Sequence, residues 1–400
     1  MSTMTWCLAS AGLAPEDIDV VAYSYDPALA PPVAGDIVEE HWEGLRTLFV
    51  RRAPLFLRTA LPGLDPARVH FVAHHVAHAA SAHMASPYDS SAVLVTDGRL
   101  ERASSLAGRY RGGDLEVLAV QELPHSLGLV YEELTAHLGF RRSSDEYKVM
   151  AMASYEQPRF LDAFRRLLRC NGDGGFVAEP VDWGRFAPAL ARGDEDWTSD
   201  HAALAATVQT RLEEVLFELC RWLHERTGGR RLTMAGGVAL NCVANARLLR
   251  EGPFEEIWVQ PAAGDSGTAL GAAMHVAHEL GDDVQPTGSA ALGRGWDDDE
   301  LAGWLKRADV RYERPADVAD VDVAWPRASG VRTSSPRTAS LVVAACDGGV
   351  ASWSCSSSGA QALWRRDALE VFECGARRAA TQRPRGAARQ RRAGRSPASR

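Results

Sequence analysis

An α/β fold is predicted by three features of the sequence. Two strand-to-glycine-to-helix crossings lie between Leu232 and Ala273, a run of short apolar segments separated by turn residues lies between Ala92 and Gln121, and several Ala/Leu-rich stretches carry apolar residues at three-and-four spacing. In the crossings, the apolar runs Leu232–Ala235 and Ile257–Val259 stop at Gly236-Gly237 and at Gly264-Asp265-Ser266-Gly267 before helical patterns begin. Amides at a helix start lack internal acceptors and sit at the positive end of its dipole, so such turns favour phosphate oxygens. A single turn of this kind is commonly an ordinary βα connection; two in tandem point to a phosphorylated ligand.

The elements follow in order. Residues 5–11 read as a helix stopped by Gly12, and Asp17–Tyr25 reads as a strand. The region 36–60 is amphipathic and helical, and a short buried strand, Val69–Ala73, runs into a helix opening with His74-His75-Val76-Ala77-His78. Ala92–Thr96, Ala103–Tyr110 and Leu115–Gln121 form a meander, with turns at Asp97-Gly98 and Gly112-Gly113. Helices return at Leu127–Leu138, Glu146–Met152, Pro158–Leu168 and Ala202–Arg226, the last opening near Ser199-Asp200 and ended by Gly228-Gly229. A further helix beginning at Asp297–Glu300 opens a linker, and ordered patterning fades after about Trp325.

Composition narrows the class. A chain of 400 residues, 46% hydrophobic, can bury a sizeable core in two or three domains or lobes. No apolar run approaches the roughly 20 residues of a membrane span, and the opening MSTMTWCLAS lacks the basic and apolar regions of a leader, so a cytoplasmic address is expected. Seven cysteines without C-x-x-C spacing indicate neither a zinc knuckle nor a disulfide framework; they are expected to be reduced and mostly buried. Residues 327–400 hold 14 Arg against 4 acidic residues, a net +10 that leaves −18 for the rest of a chain whose total is −8. This Arg/Ala/Ser/Gly text predicts a disordered basic tail. It has almost no interleaved aromatics, so nucleic acid is not the expected partner. With only Lys148 and Lys306 beside 42 Arg, a GC-rich gene read out of frame is the favoured account of the tail.

His74 and His78 are four apart on a predicted helix, so both imidazoles project from one face at a spacing that a single metal ion can bridge. On spacing alone a pair of satisfied core or surface histidines is equally consistent. Asp97, ending the strand AVLVTDG, and Asp265, at the mouth of the second glycine turn, are carboxylates at strand ends, where open α/β sheets place ligands. Either Asp alone would also suit a turn or an N-cap. Two imidazoles and two carboxylates suit iron, manganese, zinc or magnesium. Lys148 could neutralise phosphate, but a structural pair with Glu146 or Asp145 is the favoured reading. Asn241 and Asn245 could read a base or ribose or simply be polar helix surface, and His125 could cap a helix or face the site.

The motifs HHVAHAASAH, AVLVTDG, PHSLGLVYEELTAHLGF, EYKVM, AGGVALNCVAN and WVQPAAGDSGTALGAA together resemble the NodU/CmcH family of O-carbamoyltransferases, over about Trp6 to Gly295. The resemblance implies transfer of a carbamoyl group from carbamoyl phosphate, with ATP and through a carbamoyl-adenylate, to a hydroxyl of a natural product or sugar. It implies a duplicated actin/sugar-kinase-like α/β fold, similar to the tRNA threonylcarbamoyl transferases. A divalent metal, iron by the resemblance, would be held by His74, His78, Asp97 and Asp265, and the nucleotide would contact Gly98, Gly236, Gly237, Asn241 and Gly264. The family pattern also has an opening hairpin with a phosphate turn and a C-terminal domain that makes the adenylate, and neither is found in this sequence. The expected division is residues 1–295 as the nucleotide- and metal-binding domain lacking its first hairpin, 296–326 as linker or the start of a C-terminal domain, and 327–400 as tail. Weak unaided turnover follows. The alternatives are a non-catalytic remnant that binds metal or nucleotide, or an enzyme like the threonylcarbamoyl transferases.

Overall fold

The computed structural model describes residues 3–31, 42–193, 196–287, 295–312 and 363–365. Helix α1 (Thr3–Ala11) precedes β1 (Val21–Tyr23), and helices α2 (Trp42–Arg51) and α3 (Ala53–Ala60) follow. Strand β2 (Val69–Phe71) runs into α4 (His74–His83), and then comes the meander β3 (Ser90–Leu100), β4 (Ala103–Arg111) and β5 (Asp114–Glu122). Helices α5 (Leu127–His137), α6 (Glu146–Met152) and α7 (Leu161–Leu167) lead to the hairpin of β6 (Leu168–Cys170) with β7 (Phe176–Ala178), and then to the 29-residue α8 (Ser199–Thr227). The two crossings are β8 (Arg231–Ala235) with α9 (Cys242–Glu251) and β9 (Glu256–Val259) with α10 (Thr268–Glu279). Helix α11 (Asp298–Arg307) and strand β10 (Leu363–Arg365) complete the described elements.

The main sheet has the order β10-β9-β8-β3-β4-β5. Strands β9, β8 and β3 are parallel, and β10, β4 and β5 pair antiparallel with their neighbours. Strand β3 is central because its residues alternate between two cores. Ala92 and Leu94 pack into the layer of α5, α8 and α9, while Val93 and Val95 pack with α4 and α10. A strand covered on both faces reads as a continuous apolar run, as AVLV does here. The result is a three-layer α/β/α arrangement with the C-terminal ends of β3, β8 and β9 along one edge. The duplication expected of an actin/sugar-kinase-like fold is unequal among the described residues: one full sheet, beside a separate parallel pair, β1 with β2.

Several elements differ from expectation for physical reasons. The predicted strand Asp17–Tyr25 starts as a 3-10 turn at Pro15–Asp17 and pairs only over Val21–Tyr23, because β2 offers it three partners. Within 36–60, residues 36–41 lie outside the described residues, and the remainder is two helices broken at Arg52, with Pro54 in the first turn of the second. Asp97-Gly98 is not a turn: β3 continues to Leu100, and the chain reverses at Glu101-Arg102 after a register shift. Each glycine turn is followed first by a 3-10 turn, at Gly237–Leu240 and Asp265–Gly267, before its α-helix starts.

Helix α11 occupies the expected linker and is capped by Asp297, whose Oδ1 accepts from Glu300 N at 2.7 Å. Four cysteines are described, all free: Cys220 is buried, Cys170 half-buried, and Cys7 and Cys242 exposed, so the expectation of mostly buried thiols holds only for Cys220. Of the tail at 327–400, only β10 is described; the disorder expected there otherwise lies outside the described residues. No helix among the described residues is long and apolar enough to cross a membrane.

Candidate metal and ligand site

Helix α4 begins just after β2, and its first and fifth residues, His74 and His78, set their rings edge to face at a centroid separation of 4.4 Å. Asp97 stands near the end of β3, and Asp265 opens the 3-10 turn ahead of α10. The fold brings all four together. His74 Nε2 lies 3.2 Å from Asp97 Oδ2 and 3.6 Å from Asp265 Oδ1; His78 Nε2 lies 3.5 and 3.8 Å from the same two atoms. One ligand atom from each residue lies within 4.8 Å of all the others. Ligands at about 2.1 Å from one ion stand about 3.0–3.4 Å apart at adjacent positions, so a small inward movement closes the shell. The His78 side chain is fully buried, and among the described residues neither ring nitrogen has a hydrogen-bond partner, as suits a donor kept for an ion.

The groups behind the ligands set their orientation. Gly237 N donates to Asp97 Oδ1 at 2.8 Å, leaving Oδ2 toward the histidines. The first glycine turn, read from sequence as a phosphate cradle, therefore spends this amide on a carboxylate. Gly236 has φ +94°, and a Cβ there would overlap the Thr96 carbonyl, so only glycine lets β8 turn this close to β3. Ser24 O lies 3.2 Å from His74 Nδ1; a carbonyl only accepts, so Nδ1 carries the proton and Nε2 faces the carboxylates. Burial alone would pull the His74 imidazolium down, but Asp265 and Asp97 hold its pKa up at about 9. Burial likewise opposes the Asp97 carboxylate, yet contact with His74 and His78 holds it well below the usual range, and the same histidines lower Asp265. His75, whose ring lies 5.6 Å from that of His74, is pushed down to about 3, chiefly by burial and then by His74, and stays neutral. Carboxylates that retain a proton on His74 without an ion are well placed to exchange that proton for a divalent cation.

The cluster opens on one side. The Asp97 side chain is 9% exposed and that of Asp265 is 70% exposed, and both line a cavity of about 600 Å³. Its walls include the apolar Met150, Leu212, Val238 and Leu240, with Arg46 and Arg99 as cations and Glu132 and Glu146 as carboxylates. Of the residues expected at the nucleotide, Gly98, Gly237 and Asn241 line this cavity. Asn241 caps α9 through Ala244 N, and its amide pairs with Gln209 in two hydrogen bonds of 2.8 and 3.1 Å. Gly236 and Gly264 sit behind the lining, where Gly236 N donates to Ala263 O and Gly264 O accepts from Gly267 N. Asn245 is buried, donating to Ala239 O. Lys148 pairs with Asp145 at 3.1 Å, the structural role favoured from sequence. His125 meets the Ala178 backbone, and Ser126 is the residue that caps α5.

Three-layer α/β architecture and a half-open His/Asp cluster able to hold a metal ion define the class. The family model described as "Carbamoyltransferase N-terminus" matches residues 1–274, and the chain belongs to that family. It is 34% identical over 350 residues to the nodulation protein NolNO of Sinorhizobium fredii (strain NBRC 101917 / NGR234), covering 81% of this chain and 49% of that protein. It is 28% identical over 188 residues to the 3'-hydroxymethylcephem-O-carbamoyltransferase of Amycolatopsis lactamdurans, covering 42% of this chain and 35% of the relative. The chain spans about half the length of the first curated relatives that it matches. Among solved structures, T. kodakarensis HypF is similar at a TM-score of 0.33 and 15% identity, over 58% of this chain and 39% of that one.

Proposed function

We propose that this chain is the metal- and nucleotide-binding part of an ATP-dependent O-carbamoyltransferase. On this reading it passes a carbamoyl group from carbamoyl phosphate, through a carbamoyl-adenylate, to a hydroxyl of a natural product or sugar, in the cytoplasm where both co-substrates are made. The observation that carries the reading is the four-ligand cluster open to a cavity of nucleotide size, in a chain of this family. His74, His78, Asp97 and Asp265 would hold a divalent metal, iron by family resemblance, which when bound supplies a Lewis acid beside the adenylate phosphate. Arg46 and Arg99 add positive charge for phosphate oxygens. Glu132 and Glu146 offer acceptors to ligand hydroxyls, while the apolar wall of Met150, Leu212, Val238 and Leu240 takes a flat ring and excludes water. Holding two reactants in such a cavity accelerates transfer by positioning and needs no strong protein nucleophile.

Calorimetric titration of ATP into the full chain loaded with Mn²⁺ tests this. Saturable binding is expected, dependent on the metal and lost in the double variant His74→Ala/His78→Ala, whose Mn²⁺ affinity falls by at least about a hundredfold. A metal-loaded chain that leaves millimolar ATP unbound overturns the nucleotide reading.

A further inference from the structure

We infer that Glu101 is the positioning residue of the metal centre: it ties together the three chain segments that aim His74 at the ion. The inference rests on the metal reading above and extends it to a residue that touches neither ion nor substrate. Glu101 Oε1 accepts from Asp26 N at 2.8 Å and from His74 N at 3.1 Å. The first donor belongs to the loop after β1, two residues beyond Ser24, whose carbonyl fixes the His74 ring through Nδ1. The second is the opening amide of α4, the helix that carries both imidazoles. Glu101 itself lies four residues after Asp97, on the reversal out of β3. One carboxylate oxygen thus fastens the loop of Ser24, the start of α4 and the strand end bearing Asp97.

Two further features point the same way. Glu101 has φ +35°, a left-handed conformation that a two-residue reversal ordinarily gives to Gly or Asn. The chain keeps a strained glutamate there, and what a glycine would lack is the carboxylate. The α4 N-terminus also has no side-chain cap from its own preceding residue, Ala73, and Glu101 supplies from a distant turn an acceptor for the first of the helix's unpaired opening amides. From the other side, Ser24 Oγ meets Thr268 Oγ1 at 2.7 Å, and Thr268 Oγ1 donates to Asp265 O at 2.7 Å. The loop Glu101 anchors is therefore also the loop that braces the fourth ligand. Losing the anchor frees the His74 ring to rotate and Asp265 to drift, which loosens the shell without removing a ligand.

Co²⁺ titration of the full chain, followed by its visible d–d absorption, tests this. Wild type is expected to give a saturable spectrum of fixed shape. Glu101→Ala, and Glu101→Met which keeps the bulk, should bind Co²⁺ about 10- to 100-fold more weakly with an altered band shape. Glu101→Gln retains an oxygen that accepts from both amides and should stay within about threefold of wild type. Folded Ala or Met variants with wild-type affinity and spectrum overturn the inference, as does a folded Gln variant as weak as Ala. Should Ala and Met fail to fold, the Gln variant alone decides. A wild-type chain that binds no Co²⁺ overturns the metal reading itself, a result distinct from equal binding by wild type and variants.

Discussion

The two helical layers that cover the central sheet are built from different materials. The layer of α5, α8 and α9 meets the sheet with large aliphatic side chains such as Leu127, Leu134, Leu204, Leu216 and Leu248. The layer of α4 and α10 meets it with Ala79, Ala80 and Ala82 beside Met274, joins its own helices through Ala77 and Ala272, and buries His74, His75, His78 and His83. Bulk gives the first layer its apolar burial; small side chains let the second bring backbones together and place polar ligands at the strand ends. Gly271 shows the closeness of that approach, since a Cβ on it would overlap the Ala77 carbonyl. One face of the sheet holds the domain together and the other positions the His/Asp cluster.

That division can be broken by experiment. The largest stability change is expected from Leu134→Ala, which empties a fully buried position of the aliphatic layer. Chemical denaturation should show a loss of about 2–5 kcal/mol, while the Co²⁺ affinity of the folded fraction stays within about twofold. A large change in Co²⁺ affinity would mean that the two faces are not separable. Gly271→Ala sharpens the contrast from the other side. Forcing α10 off α4 should cost about 1–3 kcal/mol and also weaken Co²⁺ binding, because α10 follows Asp265 and α4 carries the histidines. Unchanged metal affinity in that variant would show that the helix separation does not set the ligand shell. The smallest effect is expected from Lys148→Met, which removes a half-exposed cation paired with Asp145 at the outer rim of the helical layer. Neither the melting temperature nor ATP affinity should change measurably, and a clear loss of ATP binding would move Lys148 into the ligand site.

The same contrast explains what was legible in sequence. In the aliphatic layer, periodicity placed α8 within three residues at its start and one at its end, because a helix that buries one broad stripe must repeat Leu, Val and Ala at three-and-four spacing. At the ligand edge the four metal-type residues were visible, since His-x-x-x-His on a helix and Asp at strand ends are types and positions that local sequence records. The turn at Asp97-Gly98 was misread. Asp-Gly is a strong hairpin signal, but the pairing with β4, interrupted after Thr96, resumes at Leu100 opposite Ala103 and moves the reversal to Glu101-Arg102. That misreading also concealed Glu101, whose one local sign is a glutamate at the true reversal.

Sequence alone determined the α/β alternation, the helices of the aliphatic layer, the family motifs and the four candidates for the His/Asp cluster. These depend on periodicity and residue type, which are properties of short stretches of chain. Only the tertiary structure decided that His74, His78, Asp97 and Asp265 converge, that Gly237 N and Ser24 O orient two of them, and that Glu101 fastens the segments involved. Backbone amides and carbonyls carry no residue code, and their partners lie from 27 to 140 positions away in the chain, brought into contact only when both faces of one sheet are covered.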